Sequence, residues 1–155
     1  MKNTFTRDFL TDCLTFRFAL QIVSNQVQFS LLDRRPLNRM IPFFEKQNGR
    51  LKVLAYGVLA GGYLSDEWLG KPPPRSKPGT ASLGKYLNTI KSAGGWGHLQ
   101  KVLGACKKVA KKHNVTIANV ATRWSDLSID FSTDFFRFFH RLFDRLLSGV
   151  RVIFY

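Results

Sequence analysis

The sequence predicts an α/β chain in which short strands precede amphipathic helices. Three observations carry this. Residues 22–29 (IVSNQVQF) alternate with period two, the signature of a strand. Residues 51–56 (LKVLAY) form an apolar run that enters a glycine-rich turn. Residues 99–113 carry apolar side chains at helical spacing. The length of 155 residues suits one domain. It falls short of the roughly 250 residues that a complete (β/α)8 barrel takes.

In the first strand, Val23, Asn25, Val27 and Phe29 fall on one face, and Ser24, Gln26 and Gln28 on the other. Such a Gln/Asn content suits a strand that aims polar groups at something. Asp33-Arg34-Arg35-Pro36 breaks it. A short helix then runs to about Gln47, regular from Pro42, where a missing N–H costs little, and Asn48-Gly49 is its stop signal. The run 51–56 reads as a buried strand. The turn after it, Gly57-Val58-Leu59-Ala60-Gly61-Gly62, lacks both the GxGxxG spacing and a Walker lysine. Taken alone it is either a plain tight turn or a backbone cradle for a ligand.

Residues 68–84 read as a loop, and Pro72-Pro73-Pro74 with Arg75, Lys77 and Pro78 predicts an extended, exposed segment. A helix follows over 83–90, and Gly94, Gly95 and Gly97 separate it from the helix over 99–113. There Leu99, Val102, Leu103, Cys106, Val109 and Ala110 make the apolar stripe, with Lys101, Lys107, Lys108, Lys111 and Lys112 opposite as a solvated face. Asn114 suits the left-handed position after a helix end. Thr116 is an N-cap for a helix over 117–124, whose stripe is Ile117, Val120, Ala121 and Trp124. A last helix is expected after Ser132-Thr133-Asp134, with Phe135, Phe136, Phe138, Phe139, Leu142, Phe143, Leu146 and Leu147 as its apolar positions, and residues 150–155 as a strand-like end. This basic, Phe-rich tail suits a membrane surface, a partner or the chain's own core.

A net charge of +14, from 24 Lys/Arg against 10 Asp/Glu, favours contact with anions. No zinc-finger spacing, RNP-like strand or GxxG clamp accompanies it, so no specific nucleic-acid binding is expected. The longest mostly apolar stretch, 53–64, is 12 residues with three glycines, against the ~18 a membrane span needs. Residues 1–20 are interrupted by Arg7, Asp8, Asp12 and Arg17 and make a poor signal peptide. Cys13 and Cys106 lie far apart without CxxC spacing, which excludes a disulfide scaffold and suits a cytoplasmic chain. His98, His113 and His140 show no metal-ligand spacing.

Three segments, VSNQVQFSLLDRRP (23–36), LKVLAYGVLAGGYLSDEWLG (51–70) and HNVTIANVATRW (113–124), resemble the second half of the aldo-keto reductases, in order and in register. ASLGKYLNTIKSAGGW (81–96) fits between them. The resemblance implies an incomplete (β/α)8 TIM barrel: its C-terminal half, about two parallel strands plus helices, with the amphipathic helix added at the end. It divides the chain into a divergent segment 1–21, a half barrel 22–124 and a divergent Phe-rich tail 125–155. The family transfers hydride between NADP(H) and a carbonyl or alcohol. By resemblance Gln26 pairs with the nicotinamide carboxamide, and Tyr56 stacks on its ring. Gly57, Val58, Leu59, Ala60 and Gly61 wrap the cofactor pyrophosphate through backbone N–H groups.

The family's catalytic Tyr, Asp, Lys and His lie in its first half, and no position of this chain matches them. After Trp124, where the eighth strand and the basic segment for the adenosine 2′-phosphate belong, the text reads SDLSIDFSTDFFRFFHRLFDRL. Tyr63 and Tyr86 are proton donors by residue type only. The expectation is therefore a truncated NADP-type oxidoreductase without independent catalysis. The alternatives are an interaction module that self-associates or pairs with a complementary half barrel, or a basic binder of membrane surfaces or nucleic acid.

Overall fold

The computed structural model describes residues 22–47, 50–75 and 79–127. β1 (Ser24–Gln28) and β2 (Lys52–Tyr56) pair in parallel, with Ser24 opposite Lys52 and Gln28 opposite Tyr56. Parallel neighbours need a crossover. Here a 3-10 turn (Arg35–Asn38), with buried Pro36 at its start, and α1 (Met40–Glu45) supply it. α1 begins two residues before Pro42, which falls in the first turn where amides have no helical partner. Asn48 and Gly49 lie outside the described residues.

The expectation of a wholly buried second strand is corrected. Only Val53 is buried, Ala55 is half-buried, and Lys52, Leu54 and Tyr56 are exposed. Side chains alternate across a strand, and the core packs on the face of Val27, Phe29, Val53 and Ala55. β1 departs likewise. Phe29 is fully buried and Val27 half-buried, but Val23 and Asn25, of the same parity, are exposed. Only the C-terminal end of β1 meets the helices.

Helix α2 (Ala81–Ser92) starts where the Thr80 hydroxyl accepts a hydrogen bond from the Leu83 amide at 3.2 Å. Helix α3 spans Gly95–His113, so Gly95 and Gly97 belong to the helix rather than to a linker. Gly94 and Gly95, at φ +113° and +82°, make the reversal after α2. Trp96 then anchors the new first turn, its indole N–H donating to the Lys71 carbonyl at 2.9 Å and its ring meeting Trp68 edge-on at 5.6 Å. Those contacts offset the ~1 kcal/mol that a helical glycine costs. Of the expected stripe, Leu99, Val102, Leu103, Cys106 and Ala110 are buried, while Val109, at its margin, is half-buried. Asn114 closes α3 in the left-handed conformation, φ +52°. Helix α4 (Ile117–Leu127) begins after Thr116, whose hydroxyl accepts from the Asn119 amide at 3.1 Å. Its residues Ile117, Val120, Ala121 and Trp124 are buried.

The core lies between the covered sheet face and the helices. Phe29 and Trp124 stack at 5.3 Å and tie β1 to α4. Asp66 locks the helices together from a 3-10 turn (Asp66–Trp68), accepting from Lys107 Nζ at 2.6 Å and from the Ile117 amide at 2.8 Å. The divergent segment 1–21 and the tail helix expected after Ser132 lie outside the described residues.

Candidate functional site

Parallel strands bring their C-terminal ends to one side. Because Gln28 is opposite Tyr56 and Gln26 opposite Leu54, all four side chains share the sheet face away from Val27, Phe29, Val53 and Ala55, and α2 side chains reach its Gln28–Tyr56 end. The two residues singled out from sequence, Gln26 and Tyr56, therefore lie on the same face of adjacent strands. Gln26 is exposed and makes no side-chain hydrogen bond among the described residues. Tyr56 is 37% exposed, with the Lys85 ammonium 4.7 Å from its ring centroid and 3.4 Å from its hydroxyl.

Beside them is a polar cluster that spans three segments. The Gln28 amide donates to Asp33 Oδ2 at 3.0 Å and to Thr89 Oγ1 at 3.3 Å. Asp33 is buried and accepts from Arg35 Nε at 2.8 Å and Nη2 at 2.6 Å, a bidentate pair. This hydrogen bonding and the carboxylate charge hold the Arg35 pKa above its ordinary value. Gln28, Asp33, Arg35, Lys85 and Thr89 were not singled out from sequence. The one local signal is that Lys85 and Thr89 stand four apart on α2, on one helical edge.

The turn after β2 is strongly bent: Gly57, Ala60, Gly61 and Gly62 have φ of +70°, +48°, +67° and +92°. Val58 and Leu59 are half-buried and Ala60 is buried. The Tyr86 ring fills one side of the turn. A Cβ on Gly57 would stand 2.7 Å from the Tyr86 hydroxyl, and one on Gly61 2.6 Å from Cδ2. Among the described residues, the Val58 and Leu59 amides donate to no backbone carbonyl. The arrangement thus presents a carboxamide, an aromatic ring, an ammonium and two backbone donors near the end of the sheet.

The two tyrosines noted as donors by type are both buried. Tyr86 packs in the glycine turn, and Tyr63 meets Trp68 at 5.1 Å and Trp96 at 6.1 Å, where burial pushes its phenol pKa up. His98 is half-buried beside Gly94, and burial, helped by Lys101, lowers its pKa. His113 is exposed at the end of α3. Among the described residues, no group of three His, Cys, Asp or Glu side chains is placed to hold a metal, and no helix is long and apolar enough to cross a membrane.

Comparison with known proteins finds two matches. Flagellar radial spoke protein 5 of Chlamydomonas reinhardtii is 43% identical over an alignment of 77 residues that covers 48% of this chain. The chain spans about 15% of that relative's length. The pattern of the aldo/keto reductase family matches residues 14–126, beginning inside the segment read as divergent and taking in both strands, the glycine turn and nearly all of α4. With most of its length matched in this way, the chain belongs to the aldo/keto reductase family.

Proposed function

We propose that this chain is an oxidoreductase-type module that holds NADP(H) and does not reduce carbonyls by itself. The observation that carries the reading is the placement of Gln26 and Tyr56, both exposed, on one sheet face, next to the 57–61 turn. The residues fit the group. The Gln26 carboxamide both donates and accepts, as pairing with a nicotinamide amide requires. The Tyr56 ring offers a face for stacking. The Val58 and Leu59 amides, which have no backbone acceptor among the described residues, are available to phosphate oxygens. When bound, the cofactor supplies hydride. The chain orients it, but no residue resembling the family's proton-donating set stands among its 155 residues.

The test is NADPH titration by calorimetry together with an aldehyde turnover assay. Binding without turnover is expected, weakened at least about tenfold by Tyr56→Ala or Gln26→Ala. Measurable turnover by the purified chain, or no binding at all, overturns the proposal.

A second reading is a non-catalytic assembly module. It is favoured by Leu54, 52% exposed on the same sheet face, and by a relative that is a flagellar radial spoke protein. Among the described residues the two-stranded sheet leaves two outer edges with unpaired backbone groups, a template for strands from another copy or from a complementary half barrel. Sedimentation velocity should then show dimers or larger species. A clean folded monomer across the micromolar range counts against it.

A further inference from the structure

Between the aromatic cluster and α2 runs a short segment that the reading above leaves unused: Lys71, Pro72, Pro73, Pro74 and Arg75. It has no regular hydrogen-bonded structure. Each proline ring fixes φ near −65°, and each residue before a proline is pushed toward the same extended region. Such a run takes the polyproline II form, with three residues per turn. Side chains three apart therefore share an edge. Lys71 and Pro74 make one edge, Pro72 and Arg75 a second, and Pro73 the third.

The structure shows which edge faces the protein. The Lys71 carbonyl accepts from the Trp96 indole at 2.9 Å. The Lys71 ammonium folds back to within 6.0 Å of the Trp68 ring centroid and 4.0 Å of Glu67. Pro74, three residues on, is the one half-buried member, whereas Lys71, Pro72, Pro73 and Arg75 are exposed, so Lys71 is held by its carbonyl and its ammonium rather than by burial. Gln100 on α3 steadies the approach to the segment, accepting from the Gly70 amide at 2.8 Å and donating to the Trp68 carbonyl at 2.9 Å. The strap is thus pinned along one edge and offers the other two to solvent. Its proline carbonyls accept no hydrogen bond among the described residues, and Arg75 pairs with no carboxylate there.

We infer that this strap docks a protein domain whose aromatic-lined groove takes polyproline II ligands and carries an acidic rim. Pro72 and Pro73 fill the groove, and Arg75, on the Pro72 edge, meets the rim. A preformed strap loses little conformational freedom on binding. The chain's net charge of +14 speeds encounter with an acidic surface.

The test uses the full chain against a panel of purified SH3 and WW domains. At least one domain with an acidic rim should bind, and Pro72→Ala with Pro73→Ala should weaken it at least about tenfold. Arg75→Glu, an exposed change that leaves the fold intact by circular dichroism, should weaken it comparably and flatten the salt dependence. Pro74→Ala, on the pinned edge, should change affinity less than about threefold. The inference fails if no domain binds, if Pro74→Ala is as damaging as the Pro72/Pro73 pair, or if Arg75→Glu leaves binding unchanged.

Discussion

The ring of Tyr86 rests on the backbone of Gly61 so closely that a Cβ there would stand 2.6 Å from its Cδ2. Gly57 meets the same ring, and both glycines sit at positive φ. The turn therefore has two reasons for glycine that need no ligand: a left-handed backbone, and room for an aromatic side chain from α2. A backbone cradle and a packing socket coexist in one loop.

Gly61→Ala should destabilise the fold by about 2 to 4 kcal/mol, part from left-handed strain and part from overpacking against Tyr86. Adding Tyr86→Leu should recover the overpacking share and leave the strain share. Urea denaturation of the four proteins in this cycle measures the coupling. Additive effects would show that the ring and the glycine do not press on each other.

Asp66 accepts from Lys107 and from the Ile117 amide, and these bonds, in that order, hold its carboxyl below the ordinary value. A carboxylate with a depressed folded pKa adds stability at pH above its unfolded value and loses it as the pH falls through the folded value. Asp66→Asn should thus melt lower than the native chain at pH 7, and the gap should close in acid. A gap that stays constant from pH 7 to pH 2 contradicts the assignment.

Trp124→Ala should cost about 3 to 5 kcal/mol, because the indole is buried and stacked on Phe29 across the β1–α4 contact. Leu54→Ser, on the opposite sheet face, should cost under about 0.5 kcal/mol. The contrast, read by chemical denaturation, checks which side of the sheet the helices protect. Equal costs would show that the Leu54 face is also packed.

Burial pushes the Cys106 thiol up to about 12. At pH 8 it is a neutral thiol with no exposure, so iodoacetamide should leave it unmodified in the native chain and label it in urea. Labelling of Cys106 under native conditions at the rate of a free thiol would mean that α3 opens readily.

Much of the helical structure was legible from neighbours in sequence. The stripe of α3, the left-handed Asn114 and the Thr116 cap each depend on contacts within about one or two helical turns, and periodicity reports such contacts directly. Gly95 and Gly97 misled, because glycine signals a break only where nothing packs, and Trp96 packs. LKVLAY misled because an apolar run does not tell which of its faces is covered.

The amino-acid order alone settled the α/β class, the family resemblance and the presence of Gln26 and Tyr56 on strands. It also located the glycine turn and the proline run. Only the folded chain decided what meets what. Gln28 reaches Thr89 across 61 positions, and Lys85 reaches Tyr56 across 29. Local propensity acts over a few residues. Which distant side chains touch, and which edge of the strap is pinned, follows from how the helices pack on the sheet, a property that no short stretch of sequence contains.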